Sequence, residues 1–343
     1  MGVARILNLL FLLTGVGLLI GMLVNLDTEQ VLSRMLQAGW FFLAGFSCYV
    51  ASLLVSAYAW MRMVDRSRFK VSYGKFLSAF WAGHAINQLT PTASLGEVVK
   101  GSILKNVISS EELVASIIIF NFASTLVSQG VTLIGPLVCL AFLDLPAQVI
   151  GGLFVIALLM GIPIFLLFLL LRWGVAGKAM HLLIKIPLVR IKNPEAVLEK
   201  ARGIDRRIRE FAGRQPGDLT VALCCIFLVR LLSVAEIWLL LLGLVPEQSA
   251  GFLLMMALLS QTSSQLITWA ATFVPGQIGI MEGGGALLYK LLGLDPVIGF
   301  SMELLRRVRR LLGIGLGLLI GLWAGIHPFH PESPTAPAPS PQD

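Results

Sequence analysis

The sequence predicts an all-α polytopic membrane protein, an inverted repeat with about six full spans and two re-entrant broken-helix segments. The composition is 57% hydrophobic and 13% charged, whereas soluble domains carry about 25% charged residues. Several apolar stretches reach the roughly 20 residues that a transmembrane helix needs. Loops containing Pro and Gly interrupt apolar segments at matching places in the two halves, which is typical of transporters built from repeats.

Six stretches are predicted to cross the bilayer completely. The first has only Arg5 as an N-terminal charge and no small-residue cleavage site after Val24, so we expect an uncleaved helix rather than a signal peptide. The six stretches lie at approximately 3–24, 40–60, 113–141, 149–171, 219–243 and 299–325.

Basic residues predict the orientation of these spans. The connection 61–75 holds five Lys or Arg residues and the loop 172–218 holds eleven. The connections 25–39, 142–148 and 244–250 together hold only Arg34. Because basic loops stay in the cytoplasm, we expect the N-terminus and both basic loops there, in a multi-pass protein of the bacterial inner membrane.

The two halves align as a repeat of opposite direction within one domain, residues 1–326. The first repeat covers about 40–141 and the second about 219–325, with broken segments at 75–108 and 251–293. Since the first repeat starts from the outside and the second from the basic cytoplasmic loop, their topology is predicted to be inverted. The four arginines at 306–310 favour the opposite direction for the last helix by charge alone.

Two segments outside the repeats have distinctive patterns. Residues 197–211 carry apolar residues at helical spacing, with arginines off that stripe, which predicts an amphipathic helix. We expect it either to bind anionic lipid headgroups of the cytoplasmic leaflet or to pack against the protein's own base. Residues 327–343 are rich in Pro and are predicted to be a disordered tail.

Each broken segment carries a loop and then a carboxylate at the start of a short helix. The first loop runs from Leu89 to Glu97 and the second from Phe273 to Glu282. A helix N-terminus offers unpaired N–H groups and partial positive charge. Each carboxylate therefore either caps its own helix or acts as a buried acid that pairs with a cation or carries a proton.

Arginines within the apolar stretches are the other candidates. Arg230 and Glu236 are six residues apart, which does not place them on one helical face, so each needs another partner. Arg230 is expected to contact a phosphate or to pair with Glu97, Glu282 or Glu303. The cluster at 306–310 either attracts an anionic headgroup or anchors the helix at the interface, and Glu303 is suited to an i,i+4 pair with Arg307.

Composition also predicts several absences. The four cysteines lie in apolar runs without any metal-binding spacing, so no metal or cofactor is expected. The net charge of +7 sits in loops beside membrane spans, which argues against nucleic acid as a partner. No nucleotide signature, nucleophile or metal set is visible, so the chain is predicted not to be an enzyme.

The two loops resemble a known family. The segments that carry the resemblance are Pro91…Leu95-Gly96-Glu97-Val98-Val99-Lys100, Phe273 to Gly284, Leu292-Gly293-Leu294 and Leu304-Leu305-Arg306-Arg307. They are similar to the membrane domain of lysylphosphatidylglycerol synthase/flippases, over about 40–325. Glu-Gly-Gly after the second loop and the run from Leu304 to Arg309 look closest to a stand-alone, hopanoid-associated branch. Leu95 and Gln277 depart from glycines that the family often has.

The resemblance implies lipid translocation rather than lipid synthesis, with a membrane lipid as the substrate. The predicted function is therefore a flippase for a lipid with a polar or phosphate-bearing headgroup. Its site is expected near the bilayer midplane between the two loops, in one cavity that both Glu97 and Glu282 line. Open alternatives are a secondary transporter of a small polar solute and a membrane scaffold for lipid-synthesis enzymes. The candidate substrate-binding residues are Asn87, Pro91, Gly96, Glu97, Lys100, Arg230, Pro275, Gly276, Gly279, Glu282, Arg306 and Arg307.

Overall fold

The computed structural model describes residues 28–65, 69, 71–90, 95–143, 146, 151–152, 155, 216–271 and 277–323. Within these ranges the regular structure is entirely helical, which confirms the predicted all-α class. The helices are α1 (Thr28–Arg62), α2 (Tyr73–Leu89), α3 (Leu95–Leu104), α4 (Ser110–Phe142), α5 (Pro216–Leu244), α6 (Ala250–Ala270), α7 (Ile280–Leu291) and α8 (Pro296–Trp323). The predicted span 3–24, nearly all of 149–171, the loop residues 172–215 and the tail 327–343 lie outside the described residues.

Four of the described helices, α1, α4, α5 and α6, are long and apolar enough to cross a membrane. This confirms a membrane protein with several apolar helices. The sequence predicts α6 as half of a re-entrant segment, yet its 21 residues are also long enough to cross. Helix α8 corresponds to the predicted span 299–325, but its central charges lower its apolar character.

Helix α1 begins earlier than the sequence predicts. Residues 25–39 are predicted as a connection, whereas the chain is helical from Thr28 and bends at Gly39, whose φ is 31° and ψ is −110°. That backbone conformation is strained for residues with a Cβ atom. The glycine therefore allows two helical pieces to join at an angle without an intervening loop.

Both broken segments fold as helical hairpins. Helices α2 and α3 run antiparallel and approach so closely that a Cβ on Gly96 would lie 2.0 Å from the Gly83 carbonyl oxygen. Helices α6 and α7 likewise run antiparallel, with Ser260 and Tyr289 hydroxyls 3.3 Å apart. With 10 residues in α3 and 12 in α7, neither returning helix can cross a hydrocarbon core of about 30 Å at about 1.5 Å per residue.

Helices α1 and α5 pack antiparallel along their whole length. At one end, Arg34 donates a 3.0 Å hydrogen bond to the Leu244 carbonyl oxygen. At the other end, Arg62 forms an ion pair with Asp218. Because these helices start the two halves of the chain, the halves begin in opposite directions.

Equivalent helices of the two halves make equivalent contacts. Helix α2 packs against α8 as α6 packs against α4, and α1 packs against α2 as α5 packs against α6. The hairpin pairs α2–α3 and α6–α7 also correspond. These three packing pairs of one half therefore have counterparts in the other, whereas α7 packs more extensively on α8 than α3 does on α4.

Two apolar cores occupy opposite ends of the α1–α5 pair. One gathers Trp60, Phe76 and Phe80 with Ile226, near the Arg62 end. The other gathers Leu240 and Leu244 with residues of α6 and α8, near the Arg34 end. Burial of these side chains holds the helices together, and the polar side chains are left between the two cores.

Candidate functional site

A polar cavity of about 380 Å³ lies between the two halves. Seven of the eight described helices line it, all except α7. Charged side chains in membrane helices face the protein interior or a water-filled space because lipid cannot solvate them. The charged residues that line the cavity are Glu97, Lys100, Arg230, Glu236, Arg306 and Arg309.

The first hairpin contributes a compact polar group at its tip. Asn87 at the end of α2 accepts a 2.7 Å hydrogen bond from the Gly96 backbone N–H and donates one of 3.3 Å to Glu97. Lys100 Nζ lies 3.0 and 3.1 Å from the two carboxylate oxygens of Glu97. The structure thus brings together four predicted site residues, whereas Pro91 lies outside the described residues.

Lys100 is packed inside the protein rather than extended into water. Its side chain is 5% exposed, and Nζ lies 5.0 Å from the ring centre of Phe80 and 5.7 Å from that of Trp60. Aromatic faces attract an ammonium group electrostatically. The rings and Glu97 together hold the lysine at the cavity wall.

The second hairpin differs from the expectation that Glu97 and Glu282 line one shared cavity. Glu282 is fully buried and does not line the cavity. It accepts a 2.9 Å hydrogen bond from the Gly279 N–H and pairs with Arg307 Nε. Glu282 therefore caps α7 and neutralises an arginine of α8. Pro275 and Gly276 lie outside the described residues.

The arginines of α8 separate into different environments. Arg306 Nη1 donates 2.8 Å hydrogen bonds to Glu303 and to Ser264, whose hydroxyl donates a 2.7 Å bond to the same carboxylate. The expected i,i+4 pair between Glu303 and Arg307 is therefore wrong. Successive residues turn by about 100° around a helix, so Arg306 faces α6 while Arg307 faces α7.

Arg309 closes one side of the cavity. Its Nε lies 2.9 Å from Glu236 Oε1, and its guanidinium carbon lies 4.2 Å from the ring centre of Tyr49. Sequence reasoning did not select Arg309, Glu236 or Tyr49 as site residues. These three residues lie on separate helices, so the sequence could not show that they meet. The only signal in the sequence was the cost of placing the charges of Arg309 and Glu236 in membrane helices.

Arg230 also lines the cavity, on the same helix as Glu236. Six residues leave Arg230 and Glu236 about 120° apart around the helix axis, yet both line the cavity. Both side chains therefore reach one broad cavity. As predicted, Arg230 and Glu236 do not pair with each other. Glu236 pairs with Arg309 instead.

Arg230 has no hydrogen-bond partner for its buried Nε among the residues that the structure describes. The three carboxylates predicted as its possible partners are each engaged by another cation. Glu97 pairs with Lys100, Glu282 with Arg307, and Glu303 with Arg306. This Nε is thus available to a ligand in the cavity, and the buried Nε of Arg306 likewise has no partner in the described part of the chain.

Comparison with protein families matches residues 5–317 to the family described as Lysylphosphatidylglycerol synthase TM region. No curated protein and no solved structure matches the chain. The family predicted from the two loops is confirmed, while the hopanoid-associated branch and the stand-alone form stay predictions. The expectation that the chain is not an enzyme is contradicted, because the family is named for a synthase.

Proposed function

Because the chain belongs to the lysylphosphatidylglycerol synthase TM family, we propose that it moves a lipid with a polar or phosphate-bearing headgroup across the bacterial inner membrane. The observation that carries the proposal is the charged cavity between the two halves. In this mechanism the headgroup occupies the cavity while the acyl chains stay among the apolar helices. The family itself indicates a membrane lipid-related function.

The cost of membrane charges supports this role. An arginine at the centre of a membrane helix costs at least about 2.5–3.5 kcal/mol without compensation, and four cations line this cavity. A volume of about 380 Å³ lies within the range of small-molecule sites, which is about 300–1,000 Å³. A polar headgroup would replace the water that such groups otherwise need.

We assign distinct roles to the cavity residues. Asn87 and Gly96 hold the tip of the first hairpin, and Glu97 with Lys100 offers an ion pair that can open to a headgroup. Arg230 contacts the phosphate, because a guanidinium matches phosphate oxygens with two parallel hydrogen bonds. Arg306 supports the wall through its network with Glu303 and Ser264.

An inverted repeat would supply the movement. The antiparallel packing of α1 and α5 and the equivalent contacts of the two halves support it. In such transporters one repeat rocks against the other around a central site. The two hairpins would then enter from opposite sides, with the tip of each near the midplane.

Cysteine labelling is expected to place the two hairpins on opposite sides. Lys75→Cys should react with an impermeant thiol reagent only from the cytoplasm, and Lys290→Cys only from outside. Both side chains are exposed, at the open ends of the first and second hairpins. Labelling of the unsubstituted protein is the control for reaction of the native cysteines. Reaction of Lys290→Cys from the cytoplasm alone would contradict the inverted arrangement.

Blocking the cavity is expected to stop lipid movement. Ser52→Phe places a ring in the cavity, because Ser52 is one of its lining residues, and should lower fluorescent-phospholipid movement in proteoliposomes to the protein-free rate. Ser47→Phe is the matched control, since Ser47 is an exposed serine on the same helix and should keep the wild-type rate. Wild-type movement in Ser52→Phe, with equal incorporation, would refute transport through this cavity.

A further inference from the structure

His84 places an imidazole ring on the wall of the cavity. The ring is half-buried on α2 and lines the cavity, so a proton can reach it through that space. Histidine is the side chain whose ordinary pKa lies between about 5 and 8. The other titratable side chains on the described lining are carboxylates, a tyrosine, a lysine and arginines, which ordinarily titrate outside this range.

Two hydrogen-bond donors surround one nitrogen of this ring. Gln88 donates its side-chain N–H to His84 Nε2 over 3.4 Å, and the Tyr49 hydroxyl oxygen lies 3.3 Å from the same nitrogen. An amide nitrogen only donates, so this Nε2 accepts and carries no proton. A ring nitrogen has one lone pair, so the Tyr49 hydroxyl donates to it as well and the two bonds share the acceptor. The structure therefore holds the neutral ring.

The charges around the ring are positive. Helix α2 packs against α1, α3 and α8. Two carboxylates beside these helices, Glu97 and Glu236, are each paired with a cation. A proton on His84 would join three positive charges, and like charges repel, so it requires a compensating negative charge. The charged and titratable groups that face the ring from the three helices are Tyr49 on α1, Lys100 on α3, and Arg309 and Arg310 on α8.

We infer that His84 binds a proton when an anionic headgroup occupies the cavity, and that this proton crosses the membrane with the lipid. The inference rests on the proposed lipid transport and names the ion coupled to it. The phosphate charge would offset the surrounding cations, and by linkage a proton on the ring would strengthen headgroup binding equally. The proton comes from water, forms an N–H bond at Nε2 and returns to water on the other side, while the lipid's covalent bonds stay unchanged.

Tyr49 links this ring to the second half of the chain. Its hydroxyl contacts His84, and its ring face lies 4.2 Å from the guanidinium carbon of Arg309 on α8. A protonated Nε2 donates, so the Tyr49 hydroxyl would change from donor to acceptor and the Gln88 amide would turn away. The proton would therefore alter contacts where one half meets the other, and the two halves of such transporters move against each other.

Calorimetry on the purified full chain tests proton uptake. The probe is dioctanoyl phosphatidylglycerol, whose phosphodiester does not titrate near neutral pH. Binding heats in buffers of different ionisation enthalpy should show uptake of up to about one proton per bound lipid in wild type. His84→Gln keeps polar groups beside Tyr49 but holds no proton near neutral pH, so it should take up none. Absence of uptake in wild type, or equal uptake in His84→Gln, would overturn the inference.

A control and a second variant accompany this measurement. Lys290→Gln removes an exposed titratable group outside the cavity and should keep the wild-type uptake. Tyr49→Phe keeps the ring beside Arg309 but loses the hydroxyl, and it extends the test if His84→Gln fails to fold. It should take up less proton than wild type, because the neutral ring loses a donor and the protonated ring loses an acceptor. Full wild-type uptake in Tyr49→Phe would overturn the role of Tyr49.

Proteoliposomes with an imposed pH difference test the coupling. In wild type a fluorescent phosphatidylglycerol should become enriched in the leaflet on the alkaline side, by up to about tenfold per pH unit for one proton per lipid. A membrane potential should not change this enrichment, since one proton and one phosphodiester together carry no net charge. His84→Gln should show no enrichment, and enrichment equal to wild type would overturn the inference.

The same assay separates the two levels of failure. If wild type moves the lipid above the protein-free rate but distributes it evenly despite the pH difference, the proposed transport stands and the coupling is overturned. If wild type moves no lipid, the proposed transport fails, and coupling to lipid movement fails with it. Calorimetry then still decides whether His84 binds a proton together with the headgroup.

Discussion

Replacement of Glu282 by leucine is expected to destabilise the protein by about 3–5 kcal/mol, the range for removing one partner of a buried ion pair. Glu282 is 0% exposed and pairs with Arg307 of α8. Its loss leaves the arginine charge without a carboxylate and removes the acceptor for the Gly279 N–H. Thermal unfolding of the purified protein measures the effect.

A double substitution distinguishes this mechanism from loss of packing. Glu282→Leu with Arg307→Met should recover most of the stability, because it removes both charges together. Arg34→Met is the control at a more exposed pair, with Asp295. It also removes the hydrogen bond to the Leu244 carbonyl oxygen, and both losses together should cost about 1–2.5 kcal/mol. If the double variant is no more stable than Glu282→Leu alone, loss of the ion pair is not the cause of the instability.

This result would change how transport data on Glu282 are interpreted. The sequence alone assigns Glu282 to substrate binding, together with Arg307. The structure holds both side chains away from the cavity lining. A transport defect in a Glu282 variant is therefore expected to accompany instability, whereas a defect in an Arg230 variant is not.

Gly96→Ala is expected to disrupt the first hairpin. A Cβ at this position would lie 2.0 Å from the Gly83 carbonyl oxygen and 2.4 Å from Asn87 Oδ1. The carbonyl belongs to the backbone of α2, so the two helices must separate. We expect a loss of at least about 1–3 kcal/mol, as for other overpacked sites, together with loss of transport.

Gly101→Ala provides the matched control on the same short helix. Its Cβ would meet only Leu113 Cδ2, at 3.7 Å, which is an ordinary contact. This variant should be neutral or more stable by up to about 1 kcal/mol, since alanine favours helix more than glycine. Equal unfolding temperatures for Gly96→Ala and Gly101→Ala would show that the close approach of α2 and α3 is not required.

The first hairpin shows what sequence proximity can predict. Asn87, Glu97 and Lys100 lie within 14 consecutive residues on both sides of one loop, so a turn between two short helices brings them together. Their hydrogen bonds follow from that local geometry. The all-helical class could be predicted equally well from the sequence, because long apolar segments with few charges form helices in a membrane.

The sequence by itself determined the all-helical class, the family, the antiparallel start of the two halves and the helical hairpins at the two breaks. Only the tertiary structure decided which cation forms an ion pair with which carboxylate. Adjacent arginines of α8 point about 100° apart, so Arg306 pairs with Glu303 while Arg307 pairs with Glu282. Charge balance at the cavity is a sum over several helices, and the rotation of each helix is set by its packing. That Arg230 Nε has no hydrogen-bond partner among the described residues could therefore be known only after those helices had been placed against one another.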